Sequence, residues 1–316
     1  MSILLHCLII LSICVGADNE YFQQHVAYDI EVTLDDSLHT LNAFESIVYT
    51  NNSPDTLSYI WFHIWPNAYK NTETAFAKQR ERFYNSSFYY SEEKKRGYID
   101  SLNFVVDGTE TSFEYHPEWI DVIKVKLPEA LVPGANTTIE TPFFVKLPKV
   151  FSRLGHSGKH YEITQWYPKP AVYDHKGWHP MPYLDMGEFY SEFGSFDVKI
   201  TLPENYRIMA TGDLIDGEAE YAWLDSLAAE GDSLHALEEK EFEKKIKELK
   251  TGKKEKSFIE KIKSIFTKEK KEDKPKPGLK TLHFHQEKVH DFAWFADPKW
   301  IVRKGVLFLA DSTREV

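Results

Sequence analysis

Short segments of strand-like sequence recur along most of the chain and constrain its fold more than any other feature. Apolar and mostly polar positions alternate strictly in Val26–Leu34, the pattern of a strand with one buried face, and Leu41–Thr50 continues it. Leu57–Ile64 is nearly all apolar, which predicts a central strand. The same reasoning predicts strands at Trp119–Leu127, Ile139–Leu147, Phe196–Leu202, Tyr206–Ala210, Thr281–Gln286 and Val306–Ala310. Many strands at short spacing, without alternating helices, predict a mainly β fold, an antiparallel sandwich or saddle.

One segment, Glu218–Pro277, interrupts this pattern with a highly charged, helix-like sequence. Its second half carries an apolar stripe at helical spacing, formed by Phe258, Ile259, Ile262, Ile265 and Phe266. A Lys-Pro-Lys-Pro-Gly run ends it at Gly278, and strand-like sequence resumes at once. We interpret the segment as a solvated helical insertion at the edge of a β domain. The alternative is a basic amphipathic helix that contacts a membrane or a partner protein.

The N-terminal residues Met1–Ala17 have the pattern of a secretory signal peptide. The apolar run Ile3–Val15 is shorter than the roughly 20 residues of a membrane-spanning helix, and small residues precede a cleavage position before Asp18. A lipoprotein anchored at Cys14 is the alternative. Both cysteines, Cys7 and Cys14, lie in this segment, so the mature chain would have no disulfide, thiol nucleophile or cysteine-ligated zinc. The pattern predicts an exported protein, periplasmic, outer-membrane-associated or extracellular.

Charge and motifs argue against several classes of function. With 38 Lys and Arg against 49 Asp and Glu, the formal net charge is −11, which argues against nucleic-acid binding. The G-x-S-x-G motif of serine hydrolases and the glycine-rich motifs of nucleotide-binding folds are absent from the sequence. Three histidine pairs have spacings that metal sites use: His156 and His160, His175 and His179, and His283 and His285. Gly and Pro interrupt the first two pairs and the third stands as an isolated pair, so we predict no metal site and no catalytic residue.

The run Tyr161–Tyr183 is rich in aromatic residues and punctuated by Pro and Gly. Pro and Gly at this density exclude a helix or a central strand, whereas so many Trp and Tyr residues are unusual for a solvated loop. A rigid aromatic loop is typical of a surface that meets a ligand or another domain. One interpretation is a free-standing secreted binding module, in which five rings stack on a glycan or a peptide: Trp166, Tyr167, Tyr173, Trp178 and Tyr183.

Three separate parts of the sequence resemble one protein family, in the order in which that family carries them. They are Tyr59–Tyr69 with Thr74–Lys78, Phe193–Pro203 with Met209–Leu214, and Val289–Asp297. These parts resemble the N-terminal domain of bacterial zinc aminopeptidases, the alanyl-aminopeptidase and leukotriene-hydrolase group of metallopeptidases. The resemblance implies a saddle of β-strands over residues 18–300, with the insertion at residues 218–277, packed on a thermolysin-like catalytic domain.

The resemblance also implies a role for Gln165. Thr164-Gln165-Trp166 matches the family segment whose Gln contacts the N-terminal end of a peptide substrate. Gln165 is therefore the expected substrate-binding residue, since its amide both donates and accepts hydrogen bonds. The stretch Asp174–Pro180 departs from the acidic-Pro ending that the family carries after this segment.

The zinc chemistry of the family has no counterpart in this sequence. In the family, H-E-x-x-H and a later Glu hold zinc, and the Glu of the motif activates water. No His in the sequence is followed by Glu, and the G-x-M-E-N segment that binds the free amine is absent too. Residues 301–316 would begin the catalytic domain, which we expect to be missing from this chain. The chain alone is expected to bind no zinc and to be inactive, its partners being a peptide substrate and the missing catalytic domain.

Overall fold

The computed structural model describes residues 21–231, residue 240 and residues 277–305. The predicted signal peptide, most of the predicted helical insertion and the predicted strand Val306–Ala310 lie outside these residues. Within them the fold is mainly β, with several antiparallel sheets, which confirms the predicted fold class. No helix in these ranges is long and apolar enough to cross a membrane.

The strands are short to medium in length and follow one another closely. They are β1 (His25–Asp35), β2 (Thr40–Thr50), β3 (Leu57–His63), β4 (Tyr98–Asp100), β5 (Val105–Val106), β6 (Thr109–Glu110), β7 (Phe113–Tyr115), β8 (Val122–Leu131), β9 (Asn136–Lys146), β10 (Gly155–Ser157), β11 (His160–Ile163), β12 (Lys169–Pro170), β13 (Tyr173–Asp174), β14 (Gly177–Trp178), β15 (Gly194–Pro203), β16 (Arg207–Ala210), β17 (Asp213–Ile215), β18 (Leu279–Val289) and β19 (Trp294–Asp297). The helical elements are α1 (Ala75–Arg82), the 3-10 turns Trp65–Tyr69 and Glu93–Lys95, and the helical residues 218–231.

The largest sheet has the order β17-β18-β15-β1-β2-β9-β5-β6, with β4 also paired to β9. Strands β1 and β2 form an antiparallel hairpin, and the inward residues of β1 are buried in strict alternation, as the sequence predicts. Strand β15 pairs with β1 in parallel, which departs from the predicted antiparallel arrangement. Parallel neighbours need a long connection, and the long stretch of chain between β1 and β15 supplies it. The pairing begins at Gly194. Only glycine fits at this position, because a Cβ there would lie 1.8 Å from the carbonyl oxygen of Val26.

Two four-stranded sheets and a small hairpin complete the fold. One sheet has the order β12-β3-β8-β7, which places β3 in its interior as predicted, and the other has the order β10-β11-β19-β16. Strands β13 and β14 form the hairpin. One hydrophobic cluster joins residues of all three larger sheets, among them Ile30, Phe62 and Ile163. The three sheets therefore share a single core.

The predicted insertion connects β17 to β18, which are neighbouring antiparallel strands of the largest sheet. Residues 218–231 are helical, in line with the helical pattern of that part. The helix is tied to the sheet where the Nζ of Lys280 lies 2.6 Å from Glu220. Residues 232–239 and 241–276, with the predicted apolar stripe, are outside the described residues.

Candidate functional site

Much of the aromatic loop Tyr161–Tyr183 is packed into the protein interior. The rings of Trp166, Tyr167 and Tyr183 are at most 1% exposed, and the indole N–H of Trp166 donates to the carbonyl of Phe292 at 3.1 Å. Burial of these rings removes a large apolar area from water and makes them part of the core. The prediction that five rings stack on a glycan or peptide is therefore wrong for three of them. Tyr173 and Trp178, on the β13–β14 hairpin, stay partly exposed.

Strand pairing brings the start of this loop next to a distant part of the chain. In the antiparallel pair β11–β19, Ile163 stands opposite Trp294. Residues just after Ile163 therefore lie beside residues just before Trp294, which juxtaposes Gln165 and Asp291. A second pairing, β12–β3, sets Lys169 opposite His63 at the other end of the same loop segment.

Gln165 has an unusual backbone and a side chain whose amide is held at both ends. Its φ is 54°, a left-handed value that non-glycine residues adopt where the surrounding structure enforces it. The residue is only 6% exposed. Its Nε2 donates to the carboxylate of Asp291, and its Oε1 accepts from the Nζ of Lys169 at 2.8 Å. The orientation of the amide is therefore fixed by two charged neighbours.

Asp291 is the central acceptor of this cluster. Its Oδ1 accepts from the Nζ of Lys169 at 2.7 Å, the hydroxyl of Tyr167 at 2.8 Å and the backbone N–H of Phe292 at 2.9 Å. Its Oδ2 accepts from Gln165. The Asp291 side chain is 17% exposed while that of Lys169 is 1% exposed, so the cluster runs from the surface inward.

Lys169 is a buried cation at the inner end of the cluster. Its Nζ lies 5.2 Å from the centre of the Trp65 ring and 4.8 Å from that of Tyr167, within cation–π range. Burial lowers the pKa of the Lys169 ammonium, while the charge and hydrogen bond of Asp291 oppose that change. The ion pair with Asp291 thus compensates for the burial of the cation.

Glu45 adds an unusual second carboxyl group to the same interior. It lies on β2, is fully buried, and neither of its oxygens has a hydrogen-bond partner within the described ranges of the chain. Burial raises the pKa of Glu45 well above its ordinary value, and the charge of Lys169 opposes the rise only in part. Burial thus disfavours the charged form of Glu45, and the direct ion pair of Lys169 is the one with Asp291 at 2.7 Å.

His63 lines the other side of Lys169 as a neutral imidazole. Its ring stacks on Trp65 with centroids 4.4 Å apart, and its Nε2 accepts from the backbone N–H of Met181 at 3.1 Å. Burial, followed by the nearby charge of Lys169, lowers its pKa to about 3. Its Nδ1 is buried, and no residue in the described part of the chain forms a hydrogen bond with it.

The two histidine pairs at four-residue spacing do not direct their rings toward a shared point. His156 stacks on His39 and its Nδ1 is 3.1 Å from the carbonyl of Gly158, whereas His160 pairs with Asp297. His179 pairs instead with Asp174 at 2.8 Å. Among the described residues, no three or more His, Cys, Asp or Glu side chains meet at a point that a metal ion could occupy. The zinc ligands that the family resemblance implies are not found among them, and we derive no step through zinc.

Sequence reasoning selected Gln165 but missed its partners. Lys169 is the middle residue of a Pro-Lys-Pro sequence inside the aromatic run, and nothing in that sequence marks it as a buried cation. Asp291 is one of many carboxylates in the chain. The one available signal was the buried strand pattern of β2, in which Glu45 occupies an inward position that an apolar residue usually fills.

Comparisons with known proteins give a likeness in structure alone. No protein-family model matches the sequence, and no curated protein matches it significantly. An M1 zinc metallopeptidase from Deinococcus radiodurans is similar in structure, with a TM-score of 0.41, 12% identity, and coverage of 86% of this chain and 42% of that one. A two-domain M1 zinc metallopeptidase mutant bound to L-arginine gives a TM-score of 0.40 at 12% identity and the same coverage. This chain therefore spans less than half the length of the solved structures that it matches.

Proposed function

We propose that this chain is the N-terminal substrate-recognition and structural domain of an exported, zinc-dependent aminopeptidase. The reaction of the whole protein would be hydrolysis of the peptide bond next to a free N-terminus. The support from sequence is the ordered set of three family-like segments, together with Thr164-Gln165-Trp166. The structural observation that carries the proposal is the fixed amide of Gln165.

The Gln165 amide is suited to contact a peptide backbone. Within the described part of the chain Asp291 is the acceptor for Nε2, and an amide nitrogen carries two hydrogens, so one remains for a ligand carbonyl. Lys169 donates to the amide oxygen and thereby fixes which end of the amide carries the nitrogen. A donor held in place before binding loses little conformational entropy when the ligand arrives.

Asp291 gives the same surface a second polar group. Three donors occupy its Oδ1, whereas Gln165 is the donor to Oδ2 in the described part of the chain. A carboxylate oxygen accepts more than one hydrogen bond, so Oδ2 can also accept from an ammonium group. This chain would supply binding and orientation, whereas zinc, when bound elsewhere in the whole protein, would polarise the scissile carbonyl and activate water.

The first test is the coding sequence that follows Val316. An in-frame H-E-x-x-H with a later Glu supports the proposal, and a stop codon at that point contradicts it. The chain of 316 residues alone should release no product from aminoacyl anilides, with or without added zinc.

The second test uses the full-length protein and the substitution Gln165→Ala. We expect kcat/KM for aminoacyl anilides to fall about tenfold, the value of one lost hydrogen bond. Gln286→Ala is the matched control, because Gln286 bonds only the neighbouring carbonyl of Glu287 among the described residues. Equal kinetics for the two variants, with equal zinc content and Tm, would contradict a substrate contact by Gln165.

A second candidate function, glycan binding, is favoured by a strip of partly exposed rings beside the loop. Trp178 lies 4.9 Å from Tyr173 and 6.1 Å from Tyr59, centroid to centroid, and Tyr59 lies 6.3 Å from Trp61. Partly exposed aromatic rings of this kind pack on sugar rings, and here the Lys124 ammonium lies over the rings of Tyr59 and Trp61, so a sugar would have to displace it. Quenching of Trp fluorescence by β-linked oligosaccharides, lost in Trp61→Ala, would favour this candidate over the peptidase domain.

A further inference from the structure

Two histidines and a carboxylate meet on the outer face of the largest sheet. His283 and His285 alternate with buried residues along β18, so both rings project from the solvent side. Asp197 of β15 stands opposite His285. The Nε2 of His283 lies 2.9 Å from Oδ1 of Asp197, and the Nδ1 of His285 lies 3.1 Å from Oδ2. The sequence left this pair isolated because the carboxylate comes from another strand.

More acidic groups surround these three side chains. Asp213 stands opposite His285 on the other flank, across β17–β18, and Asp29 stands opposite Asp197 across β1–β15. Glu287 lies 3.8 Å from the Nε2 of His285. The nearest cation by register, Lys199, is already paired with Glu31 at 2.8 Å. The surface around the two rings is therefore rich in negative charge.

We infer that His283, His285 and Asp197 form a binding site for a divalent transition-metal ion of zinc-like preference, independent of the proposed peptidase function and contrary to the sequence-based expectation that this chain binds no zinc. Two imidazoles and one carboxylate are a ligand set that such ions accept, with water in the fourth position. Metal–ligand bonds of about 2.0–2.2 Å in a tetrahedral site separate neighbouring ligand atoms by about 3.4 Å. The present distances, 2.9 and 3.1 Å, are hydrogen bonds from the two rings to different oxygens of Asp197, which places all three side chains within reach of one another.

A metal site at these residues requires the three side chains to rotate from their present arrangement. Each ring nitrogen now faces its own oxygen of Asp197, so the three groups do not yet point at one centre among the described residues. The side chains of His283, His285 and Asp197 are 35%, 36% and 45% exposed, which leaves them room to rotate. When the Nδ1 of His285 binds metal, its Nε2 carries the proton and points toward Glu287, an outer carboxylate of the kind that orients metal-bound histidines.

The test is titration of the tag-free 316-residue chain with zinc chloride, followed by calorimetry at pH 7.5. We expect one zinc per chain at the site, and at least about tenfold weaker binding in the double variant His283→Ala, His285→Ala and in Asp197→Asn. The matched control removes two exposed histidines elsewhere, His175→Ala with His290→Ala, and should leave the affinity unchanged.

A second readout separates ligand loss from misfolding. Zinc should raise the Tm of the wild-type chain and of the control, but not that of the double variant, whose Tm without zinc should equal that of the wild type. Absence of zinc binding by the wild-type chain overturns the inference. Equal loss of affinity in both double variants overturns it too, since the ion would then be held by scattered surface histidines.

Discussion

Two clusters in this molecule place one aspartate between two partners, yet their surroundings are opposite. Asp291 lies between Lys169 and Gln165 at the inner edge of the aromatic loop, where the lysine side chain is 1% exposed. Asp197 lies between His283 and His285 on the outer face of the largest sheet, where all three side chains are more than a third exposed. The difference teaches that burial, rather than the number of contacts, decides what each cluster can do.

Burial makes the inner cluster rigid and the outer cluster adaptable. A buried cation without its counter-ion has no water to replace it, so the inner partners hold one geometry. At the outer cluster water takes over whenever a hydrogen bond breaks, and the side chains move at little cost. A fixed amide suits recognition of a defined backbone group, whereas movable imidazoles suit capture of an ion.

The largest expected effect comes from breaking the inner cluster. Asp291→Ala leaves Lys169 buried without its anion and should lower the free energy of unfolding by about 3–5 kcal/mol. Urea denaturation at pH 7 measures it. The double variant Lys169→Met, Asp291→Leu removes both charges and should recover most of the loss. A loss below about 1 kcal/mol in Asp291→Ala would place this pair among surface salt bridges instead.

A third aspartate sharpens the comparison, because it is buried like Lys169 but is held by a backbone N–H. Oδ2 of Asp121 accepts from the N–H of Tyr183 at 2.7 Å, and burial raises the pKa of Asp121 from 3.8 to about 7. The folded chain thus keeps this proton to a higher pH than the unfolded chain. Its contribution to stability is complete below pH 3.8 and decreases as the pH rises to about 7.

Asp121→Asn should remove this pH dependence of stability. The slope of the free energy of unfolding against pH, between pH 3.8 and about 7, should become less steep by at most about 1.4 kcal/mol per pH unit. Urea midpoints between pH 4 and pH 8 measure the slope. Glu192, whose pKa burial also raises to about 7, leaves a remaining slope that Glu192→Gln should reduce further. Parallel profiles for the wild type and Asp121→Asn would show that this carboxyl group is not desolvated.

The long strands could be predicted from sequence because their information is local. The alternation in Val26–Leu34 places β1 to within one residue at each end, and the apolar run Leu57–Ile64 correctly predicts an interior strand. The short strands β11 and β19 carry too few residues to show a period. Their pairing, which sets Ile163 opposite Trp294, follows from tertiary packing that no local pattern records.

The candidate site follows the same division. Gln165 was selected by a three-residue segment, which is local information, and its role as a substrate contact stays a prediction. Lys169 and Asp291 could not be assigned to it, since their contact depends on the pairing of β11 with β19. The interpretation of the aromatic loop as an accessible surface is wrong for Trp166 and Tyr183, which belong to the core. The number of Trp and Tyr residues in a segment does not tell buried rings from exposed ones.

The smallest expected effect comes from the outer cluster in a buffer that contains a metal chelator. Asp197→Ala should change the free energy of unfolding by less than about 1 kcal/mol, because water replaces its hydrogen bonds to His283 and His285. Chemical denaturation of this variant beside Asp291→Ala measures the ratio of the two effects. A loss as large as that of Asp291→Ala would mean that the outer rings and carboxylate stabilise the fold as one rigid unit. They would then lack the freedom to rotate toward an ion. The same measurement therefore tests the rigidity of the inner cluster at Asp291 and the mobility of the outer cluster at Asp197.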